Sequence, residues 1–225
     1  MKTIYNMTND LNEFTVSTAR PLPVILLADV SGSMAAEGKI DALNQAVRDM
    51  IAAFASADEL RAEIHVAVIT FGTEVRLHTP LRPARDLIWT DMSASGVTPM
   101  GRALTMAADL IDDRNAIPAR AYRPTVVLIS DGQPTDEWTS GLERMTKQGR
   151  AQKADRMALA VGGDVDVDML RAFLADSAKQ VFRAADARRI KDFFEFVTMS
   201  VTTRSRSVNP NDVPQMQNPH DLDAL

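Results

Sequence analysis

The sequence predicts an α/β domain built on a mostly parallel sheet. Three observations carry that prediction. Short apolar runs, such as Val24-Ile25-Leu26-Leu27-Ala28 and Thr125-Val126-Val127-Leu128-Ile129, alternate with segments whose apolar residues recur at helical spacing. The stretches between the runs hold crossover helices, which parallel neighbours require. Two of the runs finish in an aspartate, Asp29 and Asp131. In doubly wound sheets ligands bind beyond the carboxyl ends of strands, where the strand order reverses.

The elements follow in order. A first strand over 22–29 leads to a helix over 39–55, with Ile40, Leu43, Val47, Met50, Ile51 and Phe54 on one face. Segments 63–71 and 73–79, separated by Gly72, read as a hairpin, and its strands must be antiparallel. One antiparallel edge strand is compatible with an otherwise parallel sheet. Residues 82–95 read as loop with a short helical turn. A helix over 99–114 opens on Pro99, whose fixed φ suits a first turn. Then come a strand at 125–130, a helix at 140–149, a strand at 156–161, a short helix at 167–175 and a brief strand at 180–183. A last helix over 186–206 places Ile190, Phe193, Phe194, Val197 and Val201 on its apolar face. The expected architecture is a Rossmann-like sheet with helices on both faces.

At 225 residues the chain suits one large domain with short tails. The expected organisation is an N-terminal extension over 1–20, where Phe14-Thr15-Val16 suits an edge strand, a domain over 21–207, and a disordered tail over 208–225 rich in Pro, Asn and Gln. There is no cysteine, which excludes disulfides and thiolate metal sites and fits a reducing cytoplasm. The net charge of −5 disfavours a nucleic-acid surface. No run is long enough to span a bilayer, and the first residues lack the apolar core of a signal peptide. A cytoplasmic protein without nucleic-acid or membrane partners is the expectation.

Asp29-Val30-Ser31-Gly32-Ser33-Met34 carries the chemistry. Alternate residues of extended chain point the same way, so Asp29, Ser31 and Ser33 can converge. Three hard oxygen donors suit Mg²⁺ or Mn²⁺ and suit Zn²⁺ poorly. Taken alone, the stretch equally suits a strand end followed by a polar turn. Two further segments shift that balance: Gly96-Val97-Thr98-Pro99-Met100-Gly101, and Ser130-Asp131-Gly132-Gln133-Pro134-Thr135-Asp136 at the end of a second apolar run.

Together these segments resemble the von Willebrand factor A (vWA) family. Its metal-ion-dependent adhesion site combines Asp-x-Ser-x-Ser, a later Thr, and a later Asp followed by Gly. Asp29, Ser31, Ser33, Thr98 and Asp131 match in order. The resemblance covers about 21–207. It implies that Ser31, Ser33 and Thr98 bind the metal directly and that Asp29 and Asp131 act mainly through water. It implies that Gly96 and Pro99 shape the threonine loop, and that Gly132 lets the chain leave its strand tightly. It also implies an open coordination position that takes an acidic residue of a partner protein. Pro23-Val24-Ile25-Leu26-Leu27 and Ser130-Asp131-Gly132-Gln133-Pro134-Thr135-Asp136-Glu137-Trp138 look like the TerY-type branch, which is bacterial, intracellular and linked with tellurite resistance. That branch implies an adaptor beside a protein kinase or phosphatase.

Two other functions compete. A Mg²⁺-dependent phosphohydrolase of the haloacid-dehalogenase type also places an Asp at a strand end. It needs a second Asp two residues later, where this chain has Ser31, and a Lys near a later Asp loop, for which Lys147 and Lys153 lack a matching motif. A vWA subunit of a chelatase or of a MoxR-type ATPase machine would share the metal motif. No nucleophile–base pair accompanies the metal motif, so catalysis is not expected. His65, His78 and His220 are read as structural or without a partner. Trp138 suits either a partner anchor at the metal crevice or a residue packed on the sheet.

Overall fold

The computed structural model describes residues 19–57 and 62–213. Its elements are β1 (Arg20–Asp29), α1 (Lys39–Ser56), β2 (Ala62–Phe71), β3 (Val75–Pro83), α2 (Met100–Asp112), β4 (Thr125–Ser130), α3 (Thr139–Lys147), β5 (Asp155–Val161), α4 (Val167–Leu174), β6 (Phe182–Ala184) and α5 (Ala187–Arg206). The sheet runs β3-β2-β1-β4-β5-β6. All neighbours are parallel except β2 and β3. The expected mostly parallel sheet with one antiparallel edge is what forms.

Side-chain alternation along β1 divides the core into two layers. Leu22, Val24, Leu26 and Ala28 face α1 and α5, and meet Leu43, Val47, Phe193 and Val197. Ile25 and Leu27 face the other side and meet Leu104, Ala107 and Ile111 of α2 and Phe173 of α4. Both faces are covered, so β1 is apolar from Pro21 to Ala28 rather than at every second residue. Each such Val, Leu, Ile or Phe side chain taken from water contributes about 1.5–3 kcal/mol.

The edge strand departs from the expected bounds. It starts two residues later and runs on to Pro83, before a 3₁₀ turn at Ala84–Asp86. The expected strand stops before Pro80 and Pro83 lies in the expected loop, but an edge strand can hold prolines because its outer N–H groups need no strand partner. The pairing with β2 slips near Val66–Ile69, beside these prolines.

At the base of the sheet the start of the expected disordered tail has defined partners. Arg204 of α5 is fully buried. Its Nη1 donates to Thr125 Oγ1 at 2.5 Å, its Nη2 to Arg123 O at 2.8 Å and its Nε to Pro210 O at 3.0 Å. Arg123 N donates to Asn211 Oδ1 at 2.8 Å. The extension's Phe14-Thr15-Val16, His220 and tail residues 214–225 lie outside the described residues.

The order β3-β2-β1-β4-β5-β6 reverses direction between β1 and β4. Val24 to Ala28 pair with Thr125 to Ile129, so both strands end at one level. Asp29 and Asp131 therefore flank one crevice, as the switch-point rule requires.

Candidate metal centre

The first loop begins where β1 ends. Asp29 is fully buried. Its Oδ1 accepts the Ser31 N–H at 2.8 Å, and its Oδ2 accepts the Ser130 hydroxyl at 2.6 Å. Burial dominates its ionisation and pushes the carboxyl up to about 6, although the hydrogen bonds from Ser130 and Ser31 pull the other way. After Asp29 the chain turns through 3₁₀ geometry at Gly32–Gly38. Ser31 stays buried while Ser33 is exposed.

The threonine loop is laced to the first loop by backbone. Ser95 N donates to Val30 O at 2.7 Å, and Gly32 N donates to Gly96 O at 3.0 Å. Thr73 N donates to Ser95 O at 3.0 Å, bringing in the β2–β3 turn. Gly96 has φ +84°, and a Cβ there would lie 2.4 Å from Thr73 N. Only glycine fits both the left-handed backbone and the close approach.

The third loop closes the site. Ser33 Oγ donates to Asp131 Oδ1 at 2.7 Å, and the Ser31 and Ser33 hydroxyls lie 3.0 Å apart. Thr98 is buried, and its Oγ1 faces Gly132, the neighbour of Asp131. Thr98 N donates to Thr135 Oγ1 at 3.1 Å, and Thr135 N donates back to Thr98 O at 2.9 Å. Asp136 then accepts the first N–H groups of α2, from Gly101 at 2.8 Å and Arg102 at 3.0 Å. A carboxylate there satisfies orphan donors and complements the helix dipole. Pro99 does not enter α2: it precedes the first helical residue, with ψ 64°.

The donor set passes a geometric test for a small divalent cation. Ligands adjacent in an octahedron at 2.0–2.1 Å from Mg²⁺ lie about 2.9 Å from each other. The Ser31–Ser33 hydroxyl separation of 3.0 Å matches that edge, and Asp131 accepts from Ser33 at 2.7 Å beside the pair. Asp29 has both oxygens engaged by protein donors, which suits a role behind the direct ligands. The oxygen-only set fits Mg²⁺ or Mn²⁺.

Sequence reasoning missed Lys39, the first residue of α1. Its Nζ lies 3.0 Å from Asp131 Oδ2. A lysine opening a helix carries no signal of its own; only the fold brings it to Asp131. Ser130, Thr135 and Asp136 were visible only as neighbours of Asp131. Elsewhere, His65 pairs with Glu63 and His78 with the Thr90 carbonyl. Lys147 pairs with Glu143 one turn back along α3. Trp138 is half-buried against the α2–α4 side of the core, which favours its packing role.

The von Willebrand factor type A domain model matches residues 24–196. The chain belongs to this family. Human inter-alpha-trypsin inhibitor heavy chain H2 is 25% identical over 204 residues, which are 82% of this chain and 21% of that protein. The von Willebrand factor type A structure from Catenulispora acidiphila superposes with a TM-score of 0.62 at 20% identity, over 81% of this chain and 42% of that one. Proximal thread matrix protein 1 from the mussel byssus, solved with a zinc-occupied MIDAS motif, gives a TM-score of 0.60 at 13% identity, over 80% and 48% of the two chains. This chain thus spans a fifth to about half of the length of these relatives. In homologues the vWA domain is a metal-dependent protein-interaction module.

Proposed function

We propose that this vWA domain captures a partner protein through a divalent cation, Mg²⁺ or Mn²⁺, held by Ser31, Ser33 and Thr98 with Asp29 and Asp131 behind them. The observation that carries the reading is the chain of oxygen contacts from Ser31 through Ser33 to Asp131: the two hydroxyls lie at an octahedral-edge distance and the carboxylate backs them by a hydrogen bond. A hard cation there would polarise and orient an incoming carboxylate oxygen. The charges around it also favour an anion. Asp29, Asp131 and Lys39 sum to −1, so a divalent ion leaves +1, which one partner carboxylate neutralises. Val97, 55% exposed beside Thr98, offers an apolar rim for the same partner.

The reading is one of binding without turnover, in a bacterial cytoplasm. The phrases at 23–27 and 130–138 support a TerY-type adaptor whose partner belongs to a stress-resistance complex with a protein kinase or phosphatase. The test is affinity purification of the tagged chain with Mg²⁺ and with EDTA, followed by mass spectrometry. A partner retained with Mg²⁺ and lost with EDTA is expected; a partner retained equally in both would place docking on another surface. Turnover of p-nitrophenyl phosphate that needs Mg²⁺ and disappears in Asp29→Asn would replace the binding reading with a hydrolytic one.

A further inference from the structure

The Asp131 side chain is fully buried, and that of Lys39 is 15% exposed. A buried carboxylate without a partner is costly. Ser33 satisfies Oδ1, and the Lys39 ammonium satisfies Oδ2 at 3.0 Å. Lys39 is also the first residue of α1, where the helix dipole disfavours a positive charge. Its position is therefore set by Asp131 rather than by the helix. Gly162, just past the end of β5, is a near neighbour of the ammonium: a Cβ there would lie 3.8 Å from Nζ, in ordinary contact.

One carboxylate thus carries the ammonium on one oxygen and, on the other, the hydroxyl contact that faces the metal ligands. We propose that Lys39 is a tethered counter-cation that sets the affinity of this site for divalent ions. In the metal-free protein it neutralises Asp131 and holds the third loop in place. When an ion arrives it competes for the same carboxylate charge and repels the ion. The site is thereby prepared in the absence of metal, at the expense of weaker capture. This inference rests on the metal-site reading above and goes beyond it, because Lys39 is not among the metal-binding residues.

The test is Mn²⁺ calorimetry on the full chain, comparing wild type with Lys39→Gln, Lys39→Met and Lys39→Arg, together with thermal melts in EDTA. Removing one positive charge beside the ion should tighten Mn²⁺ binding on the order of tenfold in both neutral variants. Arg keeps the charge and should bind close to wild type. In EDTA the neutral variants should melt lower than wild type, and saturating Mn²⁺ should close that gap. Two neutral replacements of different polarity guard against one of them folding poorly. Mn²⁺ affinity that is unchanged or weaker in the neutral variants, with wild type still binding, overturns the role of Lys39 and leaves the metal site standing. Uptake of Mn²⁺ by none of the proteins overturns both.

Discussion

Ser33 Oγ donates a hydrogen bond to Asp131 Oδ1 at 2.7 Å, although 98 residues separate them in the chain. The contact joins the ends of two parallel strands through groups with no local reason to meet. It is the innermost link of a wider arrangement. Backbone bonds tie the first loop to the threonine loop, and the Thr98–Thr135 pair ties the threonine loop to the third.

Asp29 makes cation binding sensitive to pH. Its folded-state carboxyl is raised to about 6 by burial, from 3.8. The ionised form is the one that supports a cation, so protons compete with metal below pH 6. Mg²⁺ or Mn²⁺ affinity should fall about tenfold per pH unit below that point. Stability of the metal-free fold moves the opposite way. A raised acid penalises folding above its folded pKa, and that penalty is relieved as pH falls from 6 towards 3.8. Titration calorimetry at pH 7.5 and pH 5, with EDTA melts at both, checks the two signs.

Of the donors that favour the ionised form of Asp29, Ser130 acts most strongly. Ser130→Ala removes the 2.6 Å bond to Oδ2 and leaves a buried acceptor unmatched. A loss of about 1–3 kcal/mol in urea unfolding at pH 7.5 is expected, shrinking as the pH drops below 6 and Asp29 protonates. A loss that is the same at both pH values would separate Ser130 from Asp29.

Asp136 should act on the metal from a distance. It caps α2, whose first turn directly follows Thr98 and Pro99. Asp136→Ala should cost about 0.5–2 kcal/mol and weaken Mn²⁺ binding by loosening the threonine loop. Asp136→Asn keeps a capping oxygen and should recover most of both. Chemical denaturation and calorimetry on the pair give the answer.

Gly96→Ala should be more damaging than its size suggests. The residue combines φ +84° with a 2.4 Å approach to Thr73 N. Strain of this kind costs about 1–3 kcal/mol before any clash is relieved. A melting temperature that falls together with Mn²⁺ affinity is expected. Full affinity in a destabilised protein would show that the threonine loop tolerates displacement.

Much of this was legible in the chain. Apolar runs end at Asp29 and Asp131, and parallel pairing brings those ends together, so Asp29, Ser31, Ser33 and Asp131 were candidates from strand ends and alternation, whereas Thr98 entered only through the family resemblance. The residues that complete the site were not legible. Lys39 opens a helix and looks like solvated surface, and only the packing of α1 on the sheet face over β1 brings it to its partner. Thr135 and Asp136 sit in a polar stretch whose bonds depend on where α2 begins. The edge strand was expected to stop at Thr79, although it runs through Pro80 to Pro83, because sequence alone does not show which strand lies at the edge, where prolines are tolerated.

The central claim is that Ser31, Ser33, Thr98, Asp29 and Asp131 form one divalent-cation site. Calorimetric titration of Mg²⁺ into the wild-type chain and into Ser33→Ala/Asp131→Ala, with circular dichroism on both, tests it most directly. Saturable binding by the wild type that vanishes in a variant of unchanged secondary structure is the predicted result. Equal Mg²⁺ affinity in the two proteins would contradict it.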